Sequence, residues 1–393
     1  MLSKSDHAFM QMAIRLAKRG LGATRPNPAV GAVVVRQGTV VGKGWHKRAG
    51  TPHAEIHALS QAGERAKGAT LYVTLEPCNH QGRTPPCTHA ILKAGISEVV
   101  IGALDPNPNV EGGGADFLRS KGVKVRTGCH ERQCMELVAP FAKHLKKGIP
   151  WIISKVALSL DGRTATRTGH SKWITGEKAR AYGHRVRHEC DAILVGSGTV
   201  LADNPSLTCR IKGGKGRDPA RIILDSTLKT PVSSKVVKQA SVSLEEWLRE
   251  PTMQKAPTVI VGAKDKAPFK KVQELESKGA KVLLIPEAPG GGVDLKFLLK
   301  RLGALGIQSI LVEGGATVHG SFWDQGLVDQ ALFFYGPVVI GGSEAQPAIA
   351  GHGAERLDVA FRLRWTRRVA LGDDLLVKGL VTDLYDLWQF KSA

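Results

Sequence analysis

The sequence predicts an α/β protein built from two successive units, each a β-sheet covered by helices. Three observations carry this. Short β-rich runs alternate with helical periodicity in the order β-β-α-β-α-β-α-β up to about residue 128. A second alternating series starts at 151, and a polar, basic stretch at 142–150 separates the two. At 393 residues the chain is long enough for two or three cores of ordinary size. The ranges that follow are 1–145 and 146–393.

In the first unit Asp6 reads as an N-cap, with Phe9, Met12, Ala13, Leu16 and Ala17 at helical spacing behind it. Gly20 and Gly22 end that helix. VGAVVV (30–35) and VVGKGW (40–45), separated by Arg36, Gln37 and Gly38, read as a β-hairpin. A helix is expected from about Pro52 through AEIHAL, then a strand at 69–75. A helix at 88–94, a strand at 98–103, a helix at 114–121 and a strand at 122–127 complete a mixed sheet. KHLKKG (143–148) reads as a solvated linker.

The second unit opens with WIISKVALSLDG (151–162). Strands are expected at 191–195, 221–225, 257–262, 280–285, 308–312, 328–335 and 374–381, and helices at 177–188, 268–278, 294–305 and 316–325. KGGKG (212–216) and PGGG (289–292) read as exposed loops.

Lys and Arg number 55 against 35 Asp and Glu, a net charge of +20. The excess is +11 in residues 1–150 and +9 beyond, so it is spread out. A nucleic-acid arm or a membrane-binding tail concentrates its charge, whereas a distributed excess fits small anionic ligands. Six cysteines, unevenly placed, do not make a disulfide scaffold, and a reducing compartment, the cytoplasm, is expected. No stretch approaches the roughly 20 apolar residues that span a bilayer.

HAE (53–55) and LEPCNHQGRTPPC (75–87) hold the chemistry. His53, Cys78 and Cys87 offer one nitrogen and two thiolates, a donor set that suits zinc, one ion per chain, with a fourth position left for water. Glu55, two residues after His53, is expected to take a proton from the attacking water and donate it as an amine leaves. The HExxH arrangement is absent, so His57 reads as a packing or hydrogen-bonding residue. Cys129, Cys134, Cys190 and Cys209 have no comparable grouping and read as packing or surface thiols.

This HAE and PC…C pattern resembles the cytidine deaminase superfamily, which uses the same residue types around zinc. Eight residues separate Cys78 from Cys87, where the superfamily commonly has two. With TRPNPAVGAVVV (24–35) and DPNPNVEGGG (105–114), the longer loop is similar to the deaminase half of the bifunctional riboflavin-biosynthesis deaminase/reductase family. The resemblance implies a cytidine-deaminase-like three-layer α/β/α domain that binds a phosphorylated pyrimidine. Asn27, His46, His80, Arg83, Asp105 and Asn107 are the implied substrate contacts.

In the second half SKVALSLDGRTA (154–165), SKWITG (171–176), DAILVGSGTVLADNPSLTCR (191–210) and LVEGGATVHGSFWDQGLVD (311–329) resemble the same family's reductase domain. The implied fold is dihydrofolate-reductase-like and the implied cofactor NADPH. GSGTVL lacks the full GxGxxG signature, so an ordinary dinucleotide-binding domain does not fit. The resemblance implies that Ala157, Trp173, Thr199, Asp203, Ser226 and Gly315 contact the cofactor. It implies that Ser171, Arg187, Leu207, Arg210 and Glu313 contact the substrate. Arg187 and Arg210 have an independent case, because a guanidinium can grip a phosphate bidentately. The family also implies a homo-oligomer with no nucleic-acid or membrane partner. Two other readings stay distinguishable by assay: a cytidine or adenosine deaminase with an unrelated second domain needs no NADPH, and an RNA-binding module with structural zinc releases no ammonia.

Overall fold

The computed structural model describes residues 2–80, 85–107, 113–214, 216–250 and 253–388. The chain divides into two compact units, one of Met1–Lys147 with Leu384–Ala393, the other of Gly148–Asp383.

In the first unit helix α1 (Lys4–Ala17) begins at a capping box in which Ser3 Oγ accepts the Asp6 N–H and the Asp6 carboxylate accepts the Ser3 N–H. Asp6 is therefore the third helical residue, and Ser3 is the cap. Its buried carboxylate also accepts the Tyr72 hydroxyl at 2.7 Å and the Arg126 guanidinium at 2.6 Å. Strands β1 (Gly31–Arg36) and β2 (Thr39–Trp45) form the hairpin, turned by Gln37 (φ 48°) and Gly38 (φ 75°). Then follow α2 (Ala54–Ala62), β3 (Thr70–Leu75), α3 (Cys87–Lys93), β4 (Glu98–Ala103), α4 (Gly114–Ser120), β5 (Lys124–Arg126) and α5 (Glu131–Lys147).

The sheet order is β2-β1-β3-β4-β5, with β3, β4 and β5 parallel and β1 antiparallel to both neighbours. Helix α2 lies directly on β2: a Cβ at Gly42 would stand 2.1 Å from the Ala58 carbonyl oxygen and one at Gly44 2.2 Å from that of Ala54. Only glycine allows this approach. The expected linker KHLKKG is instead mostly the last turn of α5, in which Lys143 is buried, because the apolar face of the helix continues through it.

The second unit contains β6 (Trp151–Leu158), β7 (Arg163–Ala165), α6 (Glu177–Glu189), β8 (Ala192–Gly196), α7 (Ser197–Asp203), β9 (Ala220–Leu224), α8 (Lys235–Lys238) and α9 (Leu244–Arg249). It continues with β10 (Thr258–Ala263), α10 (Phe269–Glu276), β11 (Lys281–Ile285), α11 (Leu295–Ala304), β12 (Ser309–Val312), α12 (Ala316–Asp324), β13 (Gln330–Tyr335), β14 (Gln346–Pro347), β15 (Arg364–Leu371) and β16 (Asp374–Leu380). Nine strands form one sheet in the order β11-β10-β9-β8-β12-β6-β13-β16-β15, parallel from β11 to β13. Strands β16 and β15 join antiparallel.

The strand residues sort onto two faces. Ala192, Leu194, Ile222, Val259 and Val261 enter one core with α9 and α11, while Ile193, Val195, Ile223 and Ile260 enter another with α8 and α10. Both faces are thus covered, as a continuous apolar strand requires.

After β16 the chain leaves this unit. Helix α13 (Tyr385–Trp388) belongs to the first, where Trp388 Nε1 donates to the Leu104 carbonyl at 2.9 Å, Tyr385 hydrogen-bonds Glu131, and Lys146 hydrogen-bonds the Asp386 carbonyl. The expected range 146–393 does not follow this return. Among the described residues no helix is long and apolar enough to cross a membrane.

Candidate active sites

In the first unit the side chains converge at the C-terminal ends of β3 and β4, the usual crevice of a parallel sheet. His53 is the N-cap residue of α2 and Cys87 the first residue of α3, so two helix N-termini face one point, while Cys78 lies in the loop after β3. His53 Nδ1 is 3.3 Å from Cys87 Sγ and 3.6 Å from Cys78 Sγ, and the three ligand atoms lie within 4.8 Å of one another.

The Cys87 and His53 hydrogen bonds bring the Cys78 thiol down to about 4 against the opposing effect of burial, while the contact with Cys78 pushes Cys87 up. One imidazole nitrogen and two sulfurs this close are the donors of a tetrahedral site, and a divalent, thiophilic cation among them would stabilise both thiolates, so the donor set fits zinc. Glu55 is 3% exposed, and burial raises its carboxyl to about 6.

Of the expected substrate contacts, Asn27, His46 and Asp105 lie beside this centre. Asn27 Nδ2 is 3.4 Å from His46 Nε2, the His46 Nδ1 lies 3.3 Å from the Pro52 carbonyl, and the His46 and His53 rings meet edge to face at 5.3 Å. Asp105 follows β4 and accepts the Asn107 N–H at 2.9 Å; burial raises its carboxyl to about 6, with the exposed His80 acting in the opposite direction. Arg83 lies outside the described residues.

Sequence reasoning missed Glu76. Its carboxylate accepts the Asp105 N–H at 3.0 Å and the Ala115 N–H at 2.8 Å, fixing the start of the loop after β4 against the cysteine loop. Its place beside Pro77 and Cys78 in LEPC was the available signal.

The second unit holds a cavity of about 950 Å³ at the C-terminal ends of its parallel strands. Ala157, Ser171, Trp173, Arg187, Thr199, Asp203, Arg210, Ser226, Glu313 and Gly315 all line it. Leu207 does not: it is 5% exposed and packs in the core with Val200 and Val236. The two glycines before α12 divide the work. A Cβ on Gly314 would stand 2.5 Å from that of Val195, so Gly314 lets the segment close on β8, whereas Gly315 (φ 64°) borders the cavity. Trp173 is 69% exposed with the Arg180 guanidinium 4.5 Å above its ring, a position for a ligand contact and not for a core residue.

Arg187 lies on the cavity wall with its guanidinium already paired. Its Nε and terminal nitrogen donate to the two Glu313 oxygens at 2.9 and 2.7 Å, and the other terminal nitrogen donates to the Thr208 carbonyl at 2.9 Å. The fork expected to grip phosphate is engaged within the protein. Burial would raise the Glu313 carboxyl, but Arg187 and Lys155 outweigh it and bring it down to about 2. Arg210 is exposed, and among the described residues it meets only the His184 ring, at 3.3–3.4 Å, which leaves its charge for an anion. The loop PGGG, expected to be merely exposed, contributes Gly291 and Gly292 to the wall. Asp161 ties a loop, accepting the Ile340 and Gly341 N–H groups at 3.0 and 2.7 Å.

His319 borders the same cavity but is 3% exposed, its Nδ1 3.0 Å from Ser154 Oγ. Burial lowers its titration to about 4. An unfolded histidine titrates near 6.5, so between these values the unfolded chain binds a proton that the folded unit does not. The stability present above pH 6.5 is therefore lost as pH falls towards 4, by up to roughly 3 kcal/mol for this residue. Calorimetric melting of the second unit should show the decline, and His319→Gln should flatten it; an unchanged slope would exclude His319 as its source.

A three-ligand metal centre beside a buried carboxyl, in one unit, and a large cavity on a dihydrofolate-reductase-like sheet, in the other, define a two-site enzyme that joins a cytidine-deaminase-like domain to a reductase-like one. Residues 3–103 match the cytidine and deoxycytidylate deaminase zinc-binding region, and residues 150–377 match the RibD C-terminal domain. The riboflavin biosynthesis protein RibD of Aquifex aeolicus is 41% identical over 96% of this chain and 99% of its own length; that of Bacillus amyloliquefaciens is 42% identical over 96% and 97%. A solved Acinetobacter baumannii RibD superposes with a TM-score of 0.79 at 37% identity, covering 97% of this chain and 99% of that one. A Thermotoga maritima diaminohydroxyphosphoribosylaminopyrimidine deaminase/5-amino-6-(5-phosphoribosylamino)uracil reductase gives 0.79 at 35%, covering 95% and 98%. The chain belongs to the RibD family of bifunctional riboflavin-biosynthesis enzymes.

Cys87→Ala should cut zinc affinity by more than the roughly 10–100-fold that loss of an outer hydrogen-bond partner costs a metal site. Elemental analysis after dialysis measures this. One retained zinc per chain in a fully active variant would remove Cys87 from the ligand set.

Proposed function

We propose that the chain carries out two consecutive reactions on one phosphorylated pyrimidine. The first is hydrolytic deamination at C2 of 2,5-diamino-6-(5-phosphoribosylamino)pyrimidin-4(3H)-one, releasing ammonia. The second is NADPH-dependent reduction of the ribosyl group at C1′, giving 5-amino-6-(5-phosphoribitylamino)uracil. The observation that carries the reading is the cluster of His53, Cys78 and Cys87 around one point with Glu55 buried beside it.

Zinc held by these three residues supplies Lewis-acid activation of the attacking water. Glu55, its carboxyl raised by burial, takes the water's proton and returns it to the departing amine. Asn27, His46, His80, Asp105 and Asn107 orient the pyrimidine and its ribose phosphate, with Glu76 positioning Asp105. Arg83 adds a cation to that set.

In the second unit NADPH supplies the hydride. Ala157, Trp173, Thr199, Asp203, Ser226 and Gly315 hold the cofactor. Ser171, Glu313 and Arg210 hold the substrate, Arg210 through its phosphate, and Arg187 acts by keeping Glu313 ionised and in place. Lys155, half-buried on the cavity wall beside Glu313, offers a cation to the sugar oxygen at the reacting carbon.

The test is a two-stage incubation. Without NADPH the chain should release ammonia and accumulate the ribosylamino uracil; adding NADPH should then consume one equivalent and add two mass units. Deamination of cytidine or tRNA with no change in this pyrimidine would refute the proposal.

A further inference from the structure

The first unit carries a second cavity, of about 650 Å³, whose lining contains none of the zinc-centre residues. It is built at the free edge of the sheet. Arg15 and Arg19 come from one face of α1 and the turn beyond it, and Lys43, Trp45 and Lys47 are alternate residues of β2 and its continuation. His57 of α2 completes the wall.

The charges in this cavity are one-sided. Five of the lining residues are basic or histidine and none is acidic. Arg15, Arg19, Lys43 and Lys47 have no ion-pair partner among the described residues. Arg19 lies 5.2 Å and Lys47 5.5 Å from the centre of the Trp45 ring, which gathers two cations on a single indole. Arg15 and Arg19 are four residues apart on a helical turn, a spacing at which like charges destabilise. His57 Nε2 is buried and has no hydrogen-bond partner. A bound anion would relieve the repulsion and satisfy that nitrogen.

Two features select the kind of anion. The Lys43 N–H, which a sheet edge would offer to another strand, donates to Gln61 Oε1 at 2.7 Å, so the edge is closed against strand pairing here. The volume lies within the range of small-molecule sites, and Met12, Leu16 and Trp45 give it an apolar wall that a bare inorganic anion does not need.

We propose that this cavity is a binding site for an organic phosphate ester, the size of a sugar phosphate or nucleoside monophosphate, separate from both reaction sites. Trp45 and Lys47 bracket His46, whose ring meets Asn27 and the ligand His53, so occupancy holds the chain segment that carries a residue of the deaminase centre.

Titration calorimetry of the full-length, zinc-loaded protein with ribose 5-phosphate tests this. The wild type should show one more site per chain than either Arg15→Ala/Arg19→Ala or Lys43→Ala, with the remaining sites and both reaction rates unchanged. Arg15→Lys/Arg19→Lys, which keeps the charge and controls for misfolding, should retain the extra site. Equal stoichiometry in the wild type and the alanine variants overturns the proposal. Inorganic phosphate binding there as tightly as ribose 5-phosphate overturns the assignment to an ester.

Discussion

Glu55→Gln should keep one zinc per chain and lose deamination by roughly 10²–10⁴-fold, the usual contribution of a positioned general acid and base. The geometry separates the two effects. Glu55 is not one of the three clustered ligands, and its carboxyl is buried, so an isosteric amide fills the same space and cannot carry a proton. Reduction of the deaminated intermediate, supplied directly, should proceed at the wild-type rate because that chemistry lies in the other unit. Elemental analysis, ammonia release and NADPH oxidation read the three outcomes. Loss of zinc in parallel with activity, or a rate within tenfold of wild type, would sink the assigned role.

Arg187→Ala should be the most damaging single change in the second unit. Removing one partner of a buried ion pair leaves the other charge without compensation and costs about 3–5 kcal/mol. Side chains of Arg187 and Glu313 are 17% and 9% exposed, and both guanidinium–carboxylate contacts are shorter than 3 Å. Calorimetry should show the melting transition of this unit shifted down, NADPH-dependent reduction should fall with it, and ammonia release should persist. Arg187→Ala/Glu313→Gln should recover part of the lost stability, because the orphaned carboxylate is gone. A double variant no more stable than the single one would show that the pair acts by packing and not by charge.

The zinc centre was legible because residue type alone restricts the chemistry: a histidine and two cysteines, with a glutamate two residues from the histidine, admit few other uses. Apart from β15, the strands of both sheets were legible from their apolar runs. What escaped depends on partners far apart in the chain. Arg187 and Glu313 are 126 residues apart, so no local pattern shows that this guanidinium pairs with a carboxylate of its own chain. Leu207 sits in a functional-looking segment, yet its side chain turns into the core. Strand β15 was missed because RWTRRVAL alternates half-buried residues with exposed ones, and its three charges, all arginines, mask the period. PGGG looked like any exposed turn, because glycine composition does not say what the backbone approaches.

Helix α13 has a consequence for how the protein is made. The first unit is not one continuous stretch: its last helix leaves the ribosome roughly 240 residues after α5 ends. At about 5–20 residues per second that is a delay of roughly 12–48 s. Before this interval begins, Glu55, the three metal-site residues and the five-stranded sheet have all been synthesised, while Leu104, Glu131 and Lys146 still await their contacts. Completion of the first unit is thus timed by the synthesis of the second, and a message truncated at residue 147 yields a deaminase domain that lacks its final helix.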